Sequence, residues 1–191
     1  REVPQMLSRD RLYKDPSSLV TVLGLHDVDR FMGERGATVA GLKLAYTFQL
    51  TTRGTPLIYY GDEIGMAGRG DPTNRRDFPG GWREDPRNAF EASGRTPEQQ
   101  EVHAHVQRLL KLRAERADLR GAETENLVVG DQLWVYRRGN TVVAINNDTA
   151  AITARVPIGM LGDDLLGLCG KPAGSGLAVE VRIPARTGCV M

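Results

Sequence analysis

The 191-residue sequence is short of the features that mark several functional classes. No apolar run approaches the length needed to cross a bilayer, which argues against a membrane partner. Lys and Arg never cluster. With a formal net charge of +1, there is no electrostatic footprint for nucleic acid. No glycine-rich phosphate loop and no nucleophile elbow occur. The two cysteines, Cys169 and Cys189, form no Cys-x-x-Cys pair, so a zinc signature is missing. Two isolated cysteines are ordinarily free thiols in a reducing compartment, which tilts the expected location toward the cytoplasm; spacing does not decide whether they pair. The sequence starts at Arg1 without a basic-then-apolar leader.

What remains is a chain of ordinary globular composition, long enough for one large domain or two small ones. Residues 19–23 are apolar and β-branched, after a turn at Asp15 and Pro16. They predict a strand buried on both sides, as in a parallel sheet. Val39, Leu42, Tyr46 and Leu50 recur at helical spacing over about 38–53, with Gly54 where a helix end favours positive φ. A second apolar run at 56–60 completes a right-handed βαβ unit. Residues 61–96 have no sustained period, and a loop of that length is often functional. Thr96, Pro97 and Gln99 then write a capping box, followed by an apolar stripe at Val102, Val106, Leu109 and Leu110. The charged run 111–120 ends that helix and passes into a linker around 121–126. Beyond it the pattern is β: a hairpin over 133–145 turning at Gly139 and Asn140, and an alternating strand at Val179, Val181 and Ile183.

The expected organisation is thus α/β plus all-β, with residues 1–120 forming a βαβα piece and 121–191 a small antiparallel β domain. A βαβα piece alone cannot close a sheet or cover both faces, so further strands are expected upstream.

His26 and Asp27 follow the first strand closely, where α/β folds carry their reactive groups. A carboxylate there can stabilise positive charge; taken alone, the two residues read more readily as the cap and polar filler of a turn. Asp62 and Glu63 end the second strand. They read as braces for loop amides more readily than as partners of Asp27 in acid–base catalysis. Asp71 and Arg75 could grip sugar hydroxyls or pair with each other. Trp82 could stack on a sugar, although an aromatic in a loop more often anchors it. His103 and His105 point to different sides of their helix and make no metal pair. Trp134 and Tyr136, on one face of a strand, read as packing residues.

Three motifs in order carry a family resemblance. Residues 19–31 (LVTVLGLHDVDRF) resemble the fourth conserved region of the α-amylase superfamily, glycoside hydrolase family 13. Residues 54–66 (GTPLIYYGDEIGM) resemble the surroundings of its eighth barrel strand, and residues 71–75 (DPTNR) its downstream sugar-contact motif. The overall look is closest to the cyclomaltodextrinase, neopullulanase and maltogenic amylase group, strongest over 10–115.

The resemblance implies the last strands and helices, about strands seven and eight, of a (β/α)8 TIM barrel, followed by a small antiparallel β-sandwich domain. It implies retaining chemistry on the α-glucosidic bonds of starch-type oligosaccharides. Asp27 matches the transition-state-stabilising acid, and His26, Asp71 and Arg75 match substrate contacts. Glu63 has no place in the family's catalytic set. Where the family often has Asn before the His-Asp pair, this chain has Leu25. No segment resembles the nucleophile or acid–base regions, which must stand about 5 Å apart across the scissile bond. The chain alone is therefore expected to be inactive, with an α-glucan oligosaccharide and the N-terminal remainder of the barrel as partners. The resembling group often dimerises, which adds a homodimer as a candidate. Calcium occurs in parts of the superfamily, but no ligand cluster supports it here, and no cofactor is expected. The alternatives are a non-catalytic amylase-like or carbohydrate-binding module, and a small self-contained enzyme using Asp27 and Glu63.

Overall fold

The computed structural model describes residues 2–174 and 176–191. It opens with a short helix, α1 (Glu2–Leu7), then strand β1 (Val20–Val22), helix α2 (Val39–Thr51) and strand β2 (Thr55–Leu57). The strands pair in parallel, Val20 with Thr55 and Val22 with Leu57, as expected for a βαβ unit. The expected burial of β1 on both sides is not met. Val20 and Val22 are exposed, as is Leu57, because a two-stranded sheet leaves one face uncovered.

α2 begins on Thr38, whose hydroxyl accepts the Gly41 N–H, a cap that removes one orphan donor. The helix ends at Thr51, with Thr52 extended as its C-cap, so Gly54 serves the turn into β2 and not the helix end. Its φ is +103°, and a Cβ there would lie 2.6 Å from the Leu19 carbonyl oxygen. Only glycine fits both demands.

The capping box forms as read. Thr96 Oγ1 accepts the Gln99 N–H at 3.2 Å and Gln99 Oε1 accepts the Thr96 N–H at 2.9 Å. Helix α3 (Pro97–Glu115) packs on α2 through Val102, Val106 and Leu109. His105 is buried between the two helices, its Nε2 3.0 Å from Thr47 Oγ1 and 3.0 Å from the Lys43 carbonyl. Burial, then the charge of Lys43, lowers its pKa to about 4. Arg113 reaches back with hydrogen bonds to the carbonyls of Leu50, Thr52, Gly54 and Leu119. Short helix α4 (Ala117–Gly121) follows a break at Arg116.

The linker expected at 121–126 is partly a strand. β3 (Thr124–Val129) enters a four-stranded antiparallel sheet in the order β3–β4–β5–β8, with β4 (Leu133–Arg138), β5 (Thr141–Asn146) and β8 (Thr187–Val190). The polar pair Glu125 and Asn126 hid β3 from a hydrophobicity reading. Glu125 pairs with Arg137 and Asn126 accepts the Trp134 indole N–H at 2.7 Å. The hairpin at Gly139 and Asn140 forms, with φ +56° at Gly139.

A second sheet joins β6 (Ile152–Val156) to β7 (Val179–Ile183). Strand alternation gives the four-stranded sheet two apolar faces. Val135, Val142 and Ala144 meet Ala154, Val156, Val181 and Ile183 of the second sheet. Trp134, Tyr136, Val143 and Val190 turn the other way and join Tyr46, Leu50 and Leu109. Trp134 and Tyr136 therefore pack as expected, their rings 4.1 Å apart.

The expectation of two free thiols is corrected: Cys169 and Cys189 are joined, with Cα atoms 6.0 Å apart. Sequence could not show that the irregular segment after β6 folds back onto β8. Asp164 fastens that return by accepting the N–H groups of Leu168, Cys169 and Val190 at 2.6, 3.0 and 2.8 Å.

Candidate active site

β1 and β2 end side by side, and the loops that leave them meet. Each contributes half of an exposed polar cluster. From the β1 loop come His26 and Asp27, whose side chains touch at 3.2 Å, Nε2 to Oδ2. From the loop after β2 come Asp71 and Arg75. Arg75 Nη2 lies 3.5 Å from Asp27 Oδ1, and its Nε 3.7 Å from Asp71 Oδ1. The same Nε donates to the His26 carbonyl at 3.1 Å. His26, Asp27, Asp71 and Arg75 thus converge, and of the two readings of the Asp71–Arg75 pair the structure shows the internal pairing. The pair is internal, yet its members remain open to solvent.

Beneath the cluster lies a support that sequence reading missed. Arg30 is fully buried. Its guanidinium donates to Asp62 Oδ1 at 2.7 Å, to the Tyr60 carbonyl at 2.6 Å and to the Asn74 carbonyl at 2.9 Å. It also lies against the rings of Tyr59 and Tyr60, 4.4 and 4.8 Å from their centroids. Asn74, itself buried, sends its amide N–H groups to the carbonyls of His26 and Val28 at 2.9 and 3.0 Å. One arginine and one asparagine therefore bolt the β1 loop to the β2 loop. The weak signal was Arg30 itself, a charge beside the His-Asp pair whose acidic partner stands 32 residues away.

Asp62 and Glu63 do not brace loop amides as expected. Asp62 is buried as the counter-charge of Arg30. Burial pushes its carboxyl above the ordinary range, against the opposing pull of Arg30. Glu63 makes no hydrogen bond or ion pair among the described residues, and its Oε2 is buried without a partner. Trp82 does not anchor its loop to the body of the molecule. Its ring is exposed, and its indole N–H donates to Asp77 within the same loop at 2.8 Å.

An exposed carboxylate flanked by an imidazole and a guanidinium can accept hydroxyl hydrogen bonds and oppose developing positive charge. For a metal, one group of acidic and sulfur atoms comes close enough among the described residues: Asp164, Cys169 and Cys189. Its sulfurs are bonded to each other, which withdraws them as thiolate ligands.

Comparison with known proteins gives this geometry a family. Residues 6–107 match the model of the alpha amylase catalytic domain. The chain is 34% identical over 153 residues to a cyclomaltodextrinase of Geobacillus thermopakistaniensis, covering 77% of this chain and 24% of that protein. It is 47% identical over 88 residues to neopullulanase 2 of Thermoactinomyces vulgaris, 44% of this chain and 15% of that one. Among solved structures, the γ-CGTase of alkalophilic Bacillus clarkii superposes with a TM-score of 0.79 at 27% identity, over 99% of this chain and 28% of that one. An α-amylase of Geobacillus thermoleovorans, solved with acarbose, superposes with a TM-score of 0.77 at 25% identity, over 98% of this chain and 42% of that one. The chain spans about a quarter or less of the length of these two curated relatives. With the family model covering more than half of its residues, this chain belongs to the α-amylase family.

Proposed function

We propose that this chain supplies the strand-seven and strand-eight part of a (β/α)8 barrel, residues 1–120, and the β-sandwich domain that follows it, residues 121–191, in a retaining glycosidase acting on α-glucosidic bonds. The observation that carries this reading is the convergence of His26, Asp27, Asp71 and Arg75 from two strand-end loops. Asp27 is the supporting carboxylate, opposing the positive charge of an oxocarbenium-like transition state. His26 contacts a substrate hydroxyl, and Asp71 and Arg75 hold the glycone side of the sugar chain. The uncovered faces of Val20, Val22 and Leu57 fit a barrel whose other strands come from elsewhere in the polypeptide. The nucleophile and the acid–base residue belong to those strands.

The isolated chain then shows no turnover of maltotriose, cyclodextrin or pullulan; clear hydrolysis above blank defeats the reading. In a polypeptide that carries the upstream strands, Asp27→Asn lowers kcat about a hundredfold or more, the scale of losing one transition-state electrostatic group. An active Asp27→Asn enzyme would remove Asp27 from the catalytic set. Undiminished sugar binding with no activity in that longer polypeptide would favour the carbohydrate-binding module.

A further inference from the structure

A pocket of about 370 Å³ opens between the end of β2, the loop over 77–95 and the start of α3, lined by Tyr60, Glu63, Phe78, Phe90, Arg95 and His103. That volume is at the small end of ligand sites and holds one ring, not a chain. The wall is built. The Phe78 and Phe90 rings lie 4.4 Å apart, and Phe90 is exposed. Arg95 fixes the backbone under them, donating to the carbonyls of Ala89 and Phe90 at 2.8 and 2.9 Å and to Gln100 Oε1 at 3.1 Å. The Gly80 and Trp82 amides close on Asp85 at 2.7 and 3.1 Å.

Two polar groups on this wall have no hydrogen-bond partner among the described residues: the Glu63 carboxylate and the His103 imidazole. Burial, and next the charge of Arg95, lowers the His103 pKa, so the ring is neutral at pH 7 and can donate or accept. The chemistry narrows the occupant. A cation would meet the fixed charge of Arg95, an anion would meet Glu63, and an apolar ligand would leave Glu63 unpaired. A neutral ring with an apolar C–H face and a rim of hydroxyls satisfies every wall.

We propose that this pocket binds one neutral hexopyranose, stacked on Phe90 and hydrogen-bonded through its hydroxyls to Glu63 and His103, as a site separate from the Asp27 cluster. Tyr60 lines the pocket, and its hydroxyl donates to the Arg76 carbonyl at 2.9 Å. The choice of α-glucosides as probes rests on the glycosidase reading; the pocket chemistry does not.

The test is NMR titration of the isotope-labelled 191-residue chain with methyl α-D-glucopyranoside and with maltotriose. Saturable shifts are expected at Phe78, Phe90 and His103, with Kd in the millimolar range. Phe90→Ala and the isosteric Glu63→Gln should each weaken them about tenfold or more, and Arg75→Ala should leave them unchanged. Absence of saturable shifts at Phe90 and His103, or equal binding by Phe90→Ala and Glu63→Gln, overturns the proposal. So does saturation of the same signals by tetramethylammonium or acetate in place of sugar. Shifts confined to His26 and Asp27 would overturn the pocket while supporting the glucan reading. Shifts confined to Phe90 and His103 would support the pocket, and the turnover assay would judge the glucan reading independently.

Discussion

Arg30→Met should be among the most damaging single substitutions in the helical half of the chain, and the structure sets its scale. The guanidinium is fully buried with Asp62 2.7 Å away. Removing it leaves the Asp62 carboxylate buried without a counter-charge and frees the carbonyls of Tyr60 and Asn74. Breaking a buried pair from one side costs about 3–5 kcal/mol. Asp62→Leu should cost a similar amount, since it leaves an unpaired guanidinium. The double variant Arg30→Met/Asp62→Leu should recover much of the loss, because replacing both charges by apolar groups removes the desolvation penalty with the attraction.

The pH dependence follows from sign. The Asp62 carboxyl is raised in the folded state, so the folded protein holds a proton that the unfolded chain has released. Its contribution to stability is therefore fully present below the unfolded carboxylate pKa and is lost as pH rises through the raised folded value. Arg30→Met removes the group that pulls the carboxyl down, so that variant should be relatively less destabilised at pH 4.5 than at pH 7.5. Urea unfolding followed by circular dichroism at both pH values, across the four members of the cycle, checks this. Single-variant losses below about 1 kcal/mol, or a double variant whose loss equals the sum of the two, would refute the reasoning.

Other outcomes are open to the same measurement. His105 titrates at about 4 when folded, below its ordinary value. Stability should therefore be fully present above pH 6.5 and fall as pH drops from 6.5 toward 4, by ~3 kcal/mol at most, and His105→Gln should flatten that slope. Reducing the Cys169–Cys189 bond, whose sulfurs lie 20 residues apart in sequence, should lower stability by about 3 kcal/mol on loop-entropy grounds, read as a shifted urea midpoint with and without a phosphine reductant; an unshifted midpoint would mean that Asp164 holds the segment unaided. Gly54→Ala should cost about 1 kcal/mol or more and lower the thermal midpoint, because its φ of +103° and the Leu19 carbonyl leave no room for a Cβ.

What the sequence alone determined was local. Helical spacing placed α2, and spacing with the Thr96–Gln99 box placed α3, because both signals act within a few residues of themselves. The β4–β5 hairpin was legible for the same reason: its two-residue turn joins adjacent strands. His26 and Asp27 were legible as a pair just past the end of β1, whereas Asp71 and Arg75, far along the loop after β2, were legible only as a motif resembling one of the α-amylase family. Tertiary structure decided everything that depends on residues far apart. It paired Arg30 with Asp62 and left Glu63 facing a pocket. It turned the polar strand β3 into a sheet edge, joined Cys169 to Cys189, and left β1 exposed where a buried strand was expected. The physical reason is common to these cases. A buried charge, a polar strand or a thiol takes its meaning from the group folded against it, and that group is specified by chain return, not by neighbours in sequence.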